Sequence, residues 1–274
     1  MVSIEVDRVL STDGRGKRGD LKLSAEKTDA LVIRQVDFSE SSRIVTMFTR
    51  DFGKIAAMAK GARRIKGPFD AALDLLTACR IVFLRKSSGS LDLLTEAQLI
   101  RRFQPQAGQL SHLYAGYYVA ELLDALSEAY DPHPRLYDEA LTILDRLSGS
   151  SRPDVNVLRF EMILLREIGL LPNFEECVFC GQTLVGATTA AEQRLFFKVS
   201  QGGLVCSQCQ REETAHLEIS AGTAALLRTL SAETSAWQNL VPSPRQAREL
   251  RALANATFNS ILGHRPKMQR YLSA

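Results

Sequence analysis

The sequence has few of the patterns that mark membrane or secreted proteins. No apolar run approaches the roughly 20 residues that a membrane-spanning helix needs. The first residues, Met-Val-Ser-Ile-Glu-Val-Asp, lack the basic and then apolar pattern of a secretory signal. We therefore expect a protein of the cytoplasm without a membrane partner.

Patterns typical of catalysis are scarce as well. The phosphate-binding motif G-x-x-x-x-G-K-[ST] does not occur, which disfavours an ATPase. The four histidines are scattered along the chain, and each fits a surface or capping role better than that of a metal ligand or a base. Because no nucleophile–base pair can be defended, the sequence predicts a protein that is not an enzyme.

Positive charge is concentrated in the first part of the chain. Residues 1–103 carry 19 Lys or Arg and 13 Asp or Glu, a net charge of +6. Residues 104–274 carry 15 Lys or Arg and 18 Asp or Glu, a net charge of −3. This asymmetry favours a polyanion as the partner of the N-terminal part.

One stretch of that part, residues 52–69, contains five Lys or Arg and no Asp or Glu. Gly61 and Gly67 bracket a basic loop, and glycine allows the backbone to approach a ligand closely. We predict that the loop contacts nucleic-acid phosphates, and a solvated surface loop is the alternative. The predicted binding residues are Lys54, Lys60, Arg63, Arg64 and Lys66. Phe52 and Phe69 could stack on bases, but burial in a core is the favoured interpretation for both.

Residues 28–104 are predicted to form a small β-barrel. Five short runs with strand character are separated by turn residues and lie at 30–36, 43–49, 54–59, 78–85 and 91–100. Five strands in a segment of this size are typical of the OB-fold, a barrel that often binds oligonucleotides. The preceding residues 1–27 are rich in glycine and charge and are predicted to be a disordered extension.

Beyond the barrel the hydrophobic period changes to that of helices. Residues 105–171 place apolar side chains at i, i+3, i+4 and i+7, which predicts three helices of an antiparallel bundle. Residues 213–274 return to this pattern at 217–230, 232–240 and 244–262, and they end in a basic tail. These segments together predict an α+β multidomain protein, with an N-terminal OB-fold barrel and a C-terminal helical bundle.

Four of the five cysteines form two close pairs, Cys177-x2-Cys180 and Cys206-x2-Cys209. Cysteines at this spacing can reach one ion from a tight turn, and four thiolates close a tetrahedral zinc site with no open position. We predict one structural Zn²⁺ in a zinc ribbon, residues 172–212, inserted in the helical bundle. An iron–sulfur cluster and a site without metal are the alternatives. Cys79 lies alone in an apolar segment and is interpreted as a small buried hydrophobe.

The order of these segments resembles the RecO family of bacterial recombination-repair mediators, over roughly residues 29–270. The elements that carry the resemblance, besides the cysteine ribbon, are Glu40-Ser41-Ser42, Thr49–Lys54, Ala59–Arg64, Tyr118–Leu122, Arg159-Phe160-Glu161, Leu164-Leu165 followed by Gly169 and Pro172, and Gly263–Pro266. The resemblance implies an OB-fold, a helical C-terminal domain and a zinc ribbon. The N-terminal extension departs from the family pattern.

In function, the resemblance implies a mediator of DNA repair and homologous recombination. Such a protein binds single- and double-stranded DNA, anneals complementary strands without ATP and acts with RecR. It helps to load RecA on DNA coated by single-strand-binding protein, so RecA is an indirect partner, and it works in the cytoplasm at the nucleoid. Two rival classes stay open: a zinc-ribbon nucleic-acid-binding accessory factor without annealing activity, and an enzyme with a dispersed active site, such as a nuclease.

The resemblance also implies that the helical domain binds the acidic C-terminal tail of single-strand-binding protein. Arg152, Arg159 and Arg166 recur at every seventh residue, and they would form one stripe if the third helix begins early enough to include Arg152. Arginine offers a planar fork that suits a terminal carboxylate. We predict these three as partner-binding residues, and a solvated helix face is the alternative.

Overall fold

The computed structural model describes residues 24–64, 69, 72–86, 91–106, 108–149, 152–184, 194–210 and 216–272. Within these ranges the chain forms a five-stranded barrel, a group of helices and a three-stranded sheet. Among the described residues, no helix combines the length and the hydropathy that crossing a bilayer requires.

Five strands build the barrel: β1 (Ser24–Asp37), β2 (Arg43–Thr49), β3 (Gly53–Ala59), β4 (Thr77–Arg85) and β5 (Asp92–Arg102). Their order is β1-β2-β3-β5-β4, and the barrel is closed. The 14 residues of β1 are enough to pair with β4 through the first half of the strand and with β2 through the second. β3 and β5 pair in parallel over a short stretch, and the other pairs are antiparallel. The predicted five-stranded OB-type barrel is confirmed.

The first strand begins inside the segment predicted to be disordered. Residues 24–27 pair with β4, and Ser24 lies opposite Arg85. Their side chains are exposed or half-buried, so this pairing satisfies backbone groups without burying an apolar side chain. Because no hydrophobic pattern marks this part of the strand, the prediction was wrong for residues 24–27. Residues 1–23 lie outside the described part of the chain.

Alternate side chains of the strands fill the barrel interior. β3 alternates strictly between buried and half-buried residues, as expected for a strand with one face on a core. Val45, Met47 and Ile81 are fully buried. Cys79 is fully buried as well, and burial raises the pKa of its thiol to about 12, which makes it an unreactive core residue.

The described residues after the barrel contain five α-helices: α1 (Leu110–Leu126), α2 (Pro134–Ser148), α3 (Pro153–Glu167), α4 (Ala221–Ser231) and α5 (Pro244–Leu262). α3 is the central helix, because every residue from Val155 to Leu165 is buried. α2 and α3 both begin with proline, whose fixed φ and missing N–H suit the first helical turn. The helical character predicted for residues 105–171 is confirmed.

Two segments predicted as helix have other structures. Leu217–Ser220 forms a strand. The helix begins only after Ser220, because the Ser220 hydroxyl caps α4 by accepting a hydrogen bond from the Thr223 N–H at 3.2 Å. Residues 232–240 contain only a short 3₁₀ helix, Ser235–Asn239, which buries Trp237. A single anchoring aromatic side chain replaces the apolar stripe that a longer helix would require.

The cysteine segment contributes a small sheet of three strands, β6 (Arg194–Lys198), β7 (Gly203–Val205) and β8 (Leu217–Ser220), in the order β7-β6-β8. β6 lies between the two cysteine pairs, and β7 leads directly into the second pair. Leu195, Phe197 and Leu204 belong to the same core as the helices. The ribbon is therefore packed on the helical part, and the domain boundaries themselves stay predictions.

The barrel and the helices meet at a junction with an apolar centre. Leu31, Ile33 and Phe48 point out of the barrel and join the helical core, and the Phe48 ring centre lies 6.5 Å from that of Tyr137. This explains why β1 is buried without alternation from Ala30 to Ile33, because both faces of the strand are covered.

An ionic rim surrounds this centre. Asp124, Asp138 and Asp145, which belong to α1 and α2, contact the barrel residues Lys54, Arg50 and Arg101, respectively. At Gly53 the backbone has φ +64° and approaches Asp131 so closely that an added Cβ would lie 2.0 Å from the Asp131 carbonyl oxygen. A residue without a side chain is thus required where the two parts touch.

Candidate nucleic-acid interface and metal centre

The basic loop folds back on the turn between β1 and β2. The Arg63 backbone N–H donates to the Ser41 carbonyl at 3.2 Å, and the Arg63 guanidinium donates to the Ser39 carbonyl at 2.7 Å. Gly61 turns the chain with φ +79°, and the Arg64 N–H closes that turn on the Gly61 carbonyl at 3.1 Å. Residues 36–43 and 60–64 therefore form one surface, which we name the cationic face.

The cationic face carries four basic side chains, Arg43, Lys60, Arg63 and Arg64, and two acidic ones, Asp37 and Glu40, a net charge of +2. Asp37 is absent from the loop sequence but lies beside it in space. Its carboxylate is 2.9 Å from the Arg43 Nε and 3.5 Å from the Arg63 Nε. The hydrogen bond from Arg43 is the main cause that lowers the pKa of Asp37. The carboxylate thus contacts two of the four cations of the face.

The structure separates Lys54 from the other predicted binding residues. Lys54 stands near the start of β3 and Lys60 just beyond its end, six residues or about 20 Å away along an extended strand. The Lys54 Nζ donates to the Asp124 carbonyl at 2.5 Å in the junction. The sequence placed Lys54 with the basic loop, and this placement is corrected here. Lys66 lies outside the described residues, so Lys60, Arg63 and Arg64 are the predicted residues that share the face.

The exposed aromatic ring of this face was not predicted. Phe52 packs edge-on against Phe83 with ring centres 5.5 Å apart, and Phe69 is 4% exposed, so both belong to the barrel core. Phe38, by contrast, is 59% exposed and lies on the cationic face with Val36, which is 47% exposed. A large apolar residue inside the polar turn Asp37–Ser42 is the signal that could have identified it.

The four predicted metal ligands converge. The Sγ atoms of Cys177, Cys180, Cys206 and Cys209 all lie within 4.8 Å of one another, and those of Cys180 and Cys206 are 3.9 Å apart. Each pair sits in a tight turn: the Gly181 N–H donates to the Cys177 carbonyl at 2.9 Å, and the Cys209 N–H to the Cys206 carbonyl at 3.1 Å. The four cysteines could together hold a metal ion.

The spacing of the sulfurs fits a tetrahedral site. Thiolates at about 2.3 Å from a zinc ion stand about 3.8 Å apart, close to the separation of Cys180 and Cys206. Burial disfavours the Cys177 thiolate, but backbone N–H groups, that of Cys206 foremost, lower the pKa of Cys177 to about 6. The donor set is therefore suited to a thiophilic metal.

The three arginines predicted to bind a partner do not form an open stripe. Arg152 precedes α3 and binds Asp154 at 2.7 Å. Arg159 is 6% exposed and donates to the carbonyls of Leu230 and Ala232, each at 2.7 Å. Arg166 donates to the Ser231 carbonyl.

Arg159 and Arg166 thus satisfy carbonyls at the end of α4, a structural role that corrects the prediction of a peptide-binding stripe. Of the three, Arg152 retains an exposed side chain, at 45%. It adjoins Pro153 and Asp154, which line a cavity of about 240 Å³ together with Val157 and Tyr271.

A buried ion pair lies at the centre of the helices. The two terminal nitrogens of Arg251 donate to the two carboxylate oxygens of Glu161 at 2.9 and 2.7 Å, and the Tyr118 hydroxyl donates to Glu161 at 2.9 Å. Glu161 is fully buried and Arg251 is 7% exposed. Burial opposes the charge of Arg251, but Glu161 more than compensates, so the pKa of Arg251 is raised. The 90 residues between the two partners explain why the sequence did not reveal the pair.

A closed OB-type barrel with a cationic face, joined to helices that carry a four-cysteine ribbon, defines a class of multidomain OB-barrel proteins. Two family models divide the chain in the same way. "Recombination protein O N terminal" matches residues 23–103, and "Recombination protein O C terminal" matches residues 107–270. The chain belongs to the RecO family of DNA repair proteins.

Curated relatives with this family name align with the chain over most of their length. The chain is 36% identical to "DNA repair protein RecO" of Rhodopirellula baltica, over 89% of this chain and 97% of that protein. It is 31% identical to "DNA repair protein RecO" of Anaeromyxobacter sp. (strain K), over 90% of this chain and 95% of that protein. It is also 31% identical to "DNA repair protein RecO" of Listeria monocytogenes serotype 4b (strain CLIP80459), over 74% of this chain and 76% of that protein.

Proposed function

We propose that this protein binds DNA through the cationic face and anneals complementary strands without ATP, as a mediator of repair and recombination. Membership of a DNA repair family supports the repair role. The observation that carries the binding proposal is the union of Arg43, Lys60, Arg63 and Arg64 on one surface of an OB-type barrel. The protein acts in the cytoplasm at the nucleoid, and we propose that it does so without catalysing a covalent step.

The chemistry of annealing suits such a surface. Two complementary strands repel each other through their phosphates, and side chains that neutralise phosphates release counterions and reduce that repulsion. Guanidinium groups bind phosphate oxygens in a planar, often bidentate geometry and do not read bases from the backbone side. The face can therefore hold strands of any sequence and leave their base edges available for pairing.

Replacing Arg63 and Arg64 by glutamine is expected to weaken DNA binding for all sequences alike. If both side chains contact phosphates, the slope of log K against log salt becomes shallower by about 1.4–1.8, and annealing of labelled complementary oligonucleotides slows in parallel. The control is Arg135→Gln with Arg194→Gln, which removes the same charge from side chains that are 62% and 71% exposed elsewhere. Equal effects in the two double variants would show that only net charge matters.

Asp37→Asn is expected to change the DNA affinity in the opposite direction in the same experiment. Loss of the carboxylate frees Arg43 and Arg63, so affinity should rise and the salt slope should steepen by about 0.7–0.9. A gain of affinity cannot arise from a folding defect. An unchanged slope in both the glutamine variant and Asp37→Asn would remove the loop from the binding site.

The annealing assay also separates the proposal from the alternative of an accessory factor. A zinc-ribbon accessory factor would bind the oligonucleotides but leave their rate of pairing unchanged. A nuclease would shorten the labelled strands when a divalent metal is added. The proposed protein speeds pairing with no nucleotide present and leaves strand length unaltered.

We propose that the metal held by Cys177, Cys180, Cys206 and Cys209 is one zinc ion with a structural role. All four donors are thiols, which leaves no open position for a substrate. The predicted iron–sulfur alternative would give a coloured protein, whereas a zinc protein is colourless. What the ion supplies is cross-linking of the two cysteine turns.

We propose RecR and the tail of single-strand-binding protein as direct partners and RecA as an indirect one, on the strength of family membership. For the tail, the helical part offers Arg152 beside the cavity lined by Pro153, Val157 and Tyr271. The same cavity is lined by Asp154, which binds Arg152, so an acidic peptide would take the place of the Asp154 carboxylate on Arg152 and set its apolar end against Val157 and Tyr271.

Fluorescence anisotropy with a labelled tail peptide tests this partner. The peptide should bind the wild type, and Arg152→Ala should weaken binding about tenfold, the loss of one charge-assisted contact. Arg159→Ala with Arg166→Ala removes bonds that hold α3 to α4, so its melting temperature must be measured beside its binding. Equal binding by wild type and Arg152→Ala would dismiss the residue, and no binding by wild type would dismiss the partner.

A further inference from the structure

We propose that the cationic face prefers single-stranded to double-stranded nucleic acid, because Phe38 stacks on an unpaired base. The inference rests on the proposed function of this face and deepens it by naming the form of nucleic acid that is bound. It depends on the exposure of one aromatic ring, the order of the turn that holds it and the position of the nearest guanidinium.

Phe38 is presented by an ordered turn. Its backbone N–H donates to the Ser42 carbonyl at 3.1 Å, and the Ser42 N–H donates to the Ser39 Oγ at 3.2 Å. The residue as a whole is 59% exposed. An aromatic side chain on a fixed backbone loses little freedom when it binds a flat ligand, because only two side-chain torsions must be ordered.

One further side chain extends the apolar surface beside Phe38. Val36 lies in β1, two residues before Phe38, and is 47% exposed. Arg34, two residues earlier on the same face of β1, lies 3.7 Å from the Asp124 carboxylate and therefore belongs to the ionic rim of the junction. Phe38 and Val36 thus form an apolar surface next to the cations of the loop, the combination that bases and their phosphates require.

The nearest cation of the loop is placed to bind the backbone of the same nucleotide. Arg63 donates to the carbonyl of Ser39, the residue after Phe38, at 2.7 Å. A base on the ring would therefore have its phosphate beside Arg63. An apolar protein partner would gain nothing from this cation, so the neighbours of Phe38 favour nucleic acid over protein as the ligand.

Only an unpaired base can use the ring. In a duplex both faces of each base are covered by neighbouring bases, whereas a single strand can expose a base for stacking on an aromatic side chain. Phosphate contacts alone do not discriminate strongly between the two forms. A preference for single strands is therefore expected to depend on Phe38, whereas binding to both forms depends on Arg63 and Arg64.

The test measures the affinity of the full-length protein for a labelled single strand and for the duplex of the same sequence. Phe38→Ala should lower the affinity for the single strand about 5- to 160-fold and change the affinity for the duplex less than about twofold. Leu170, which follows α3 in the chain and is 50% exposed, provides the control: Leu170→Ala should change neither the affinity for the single strand nor that for the duplex. Phe38→Trp should keep the affinity, and its added fluorescence should be quenched by the single strand but not by the duplex. Trp237, which is 4% exposed, supplies a constant background.

The outcomes separate the two proposals. If Phe38→Ala changes neither affinity while the Arg63 and Arg64 variant loses both, the stacking inference is wrong and the face still binds DNA. If Phe38→Ala weakens single strand and duplex equally, the ring only shapes the turn and the inference also fails. If the wild type binds neither form, the proposed function fails first. Loss of a protein partner with unchanged DNA binding would assign the ring to protein recognition and overturn the inference.

Discussion

Replacing Arg251 by leucine is expected to lower the free energy of unfolding by about 3–5 kcal/mol. The substitution leaves the carboxylate of Glu161 fully buried without the guanidinium that binds both of its oxygens. The Tyr118 hydroxyl would remain as a donor, but one neutral hydrogen bond does not replace a bidentate ionic contact. Urea denaturation followed by circular dichroism measures the change.

The same helix offers a matched control. Arg245 of α5 binds Glu249 four residues later at 2.8 Å, and its side chain is 67% exposed. Arg245→Leu should change the free energy of unfolding by at most about 1 kcal/mol, because the Arg245 side chain is exposed and the Glu249 carboxylate keeps its hydrogen bonds from Ser220 and Thr223.

The double variant Glu161→Leu, Arg251→Leu should recover part of the stability lost in Arg251→Leu, since no buried charge remains uncompensated. Equal losses for Arg251→Leu and Arg245→Leu would show that the buried pair does not hold the helices together.

Removing the metal is expected to unfold the ribbon. The purified protein should contain about one zinc ion per chain, and chelation should expose residues 172–212 to protease because two small turns cannot stay closed without the ion. Since Leu195 and Phe197 share the helical core, the melting temperature of the helices should fall as well. DNA binding through the cationic face should persist, because that face lies on the barrel, whereas the ribbon is packed on the helical core.

Variants of single cysteines make this test specific. Cys180→Ser should lose most of the metal and become sensitive to protease at the ribbon. Cys79→Ala, which changes a cysteine that is fully buried in the barrel, should keep the metal. A Cys180→Ser protein that retained both its metal and its resistance to protease would contradict a role for the four-cysteine site in folding.

Periodic and local features could be predicted from the sequence. The five strands and the helices α1 to α3 follow from alternation and from the helical repeat, because each element buries one face on a core. The cysteine pairs are equally local: two ligands in one tight turn are set by their spacing alone.

Contacts between distant segments could not be predicted. Asp37 reaches Arg63 only because β1, β2 and β3 form a continuous antiparallel sheet. Lys54 is separated from the loop because a strand is extended, so a few residues of sequence become a long distance in space. The Arg159 side chain is buried by the end of α4, a segment far along the chain. None of these contacts can be predicted from the composition of the segments that make them.

The contacts at the junction oppose rotation of the barrel relative to the helices. Its apolar centre, Leu31, Ile33 and Phe48 against the helices, is bordered by ionic contacts of both α1 and α2. Rotation of the barrel about any single point would have to break contacts on two helices at once. The static contacts therefore fix the orientation of the barrel at three kinds of point: the apolar centre, α1 and α2.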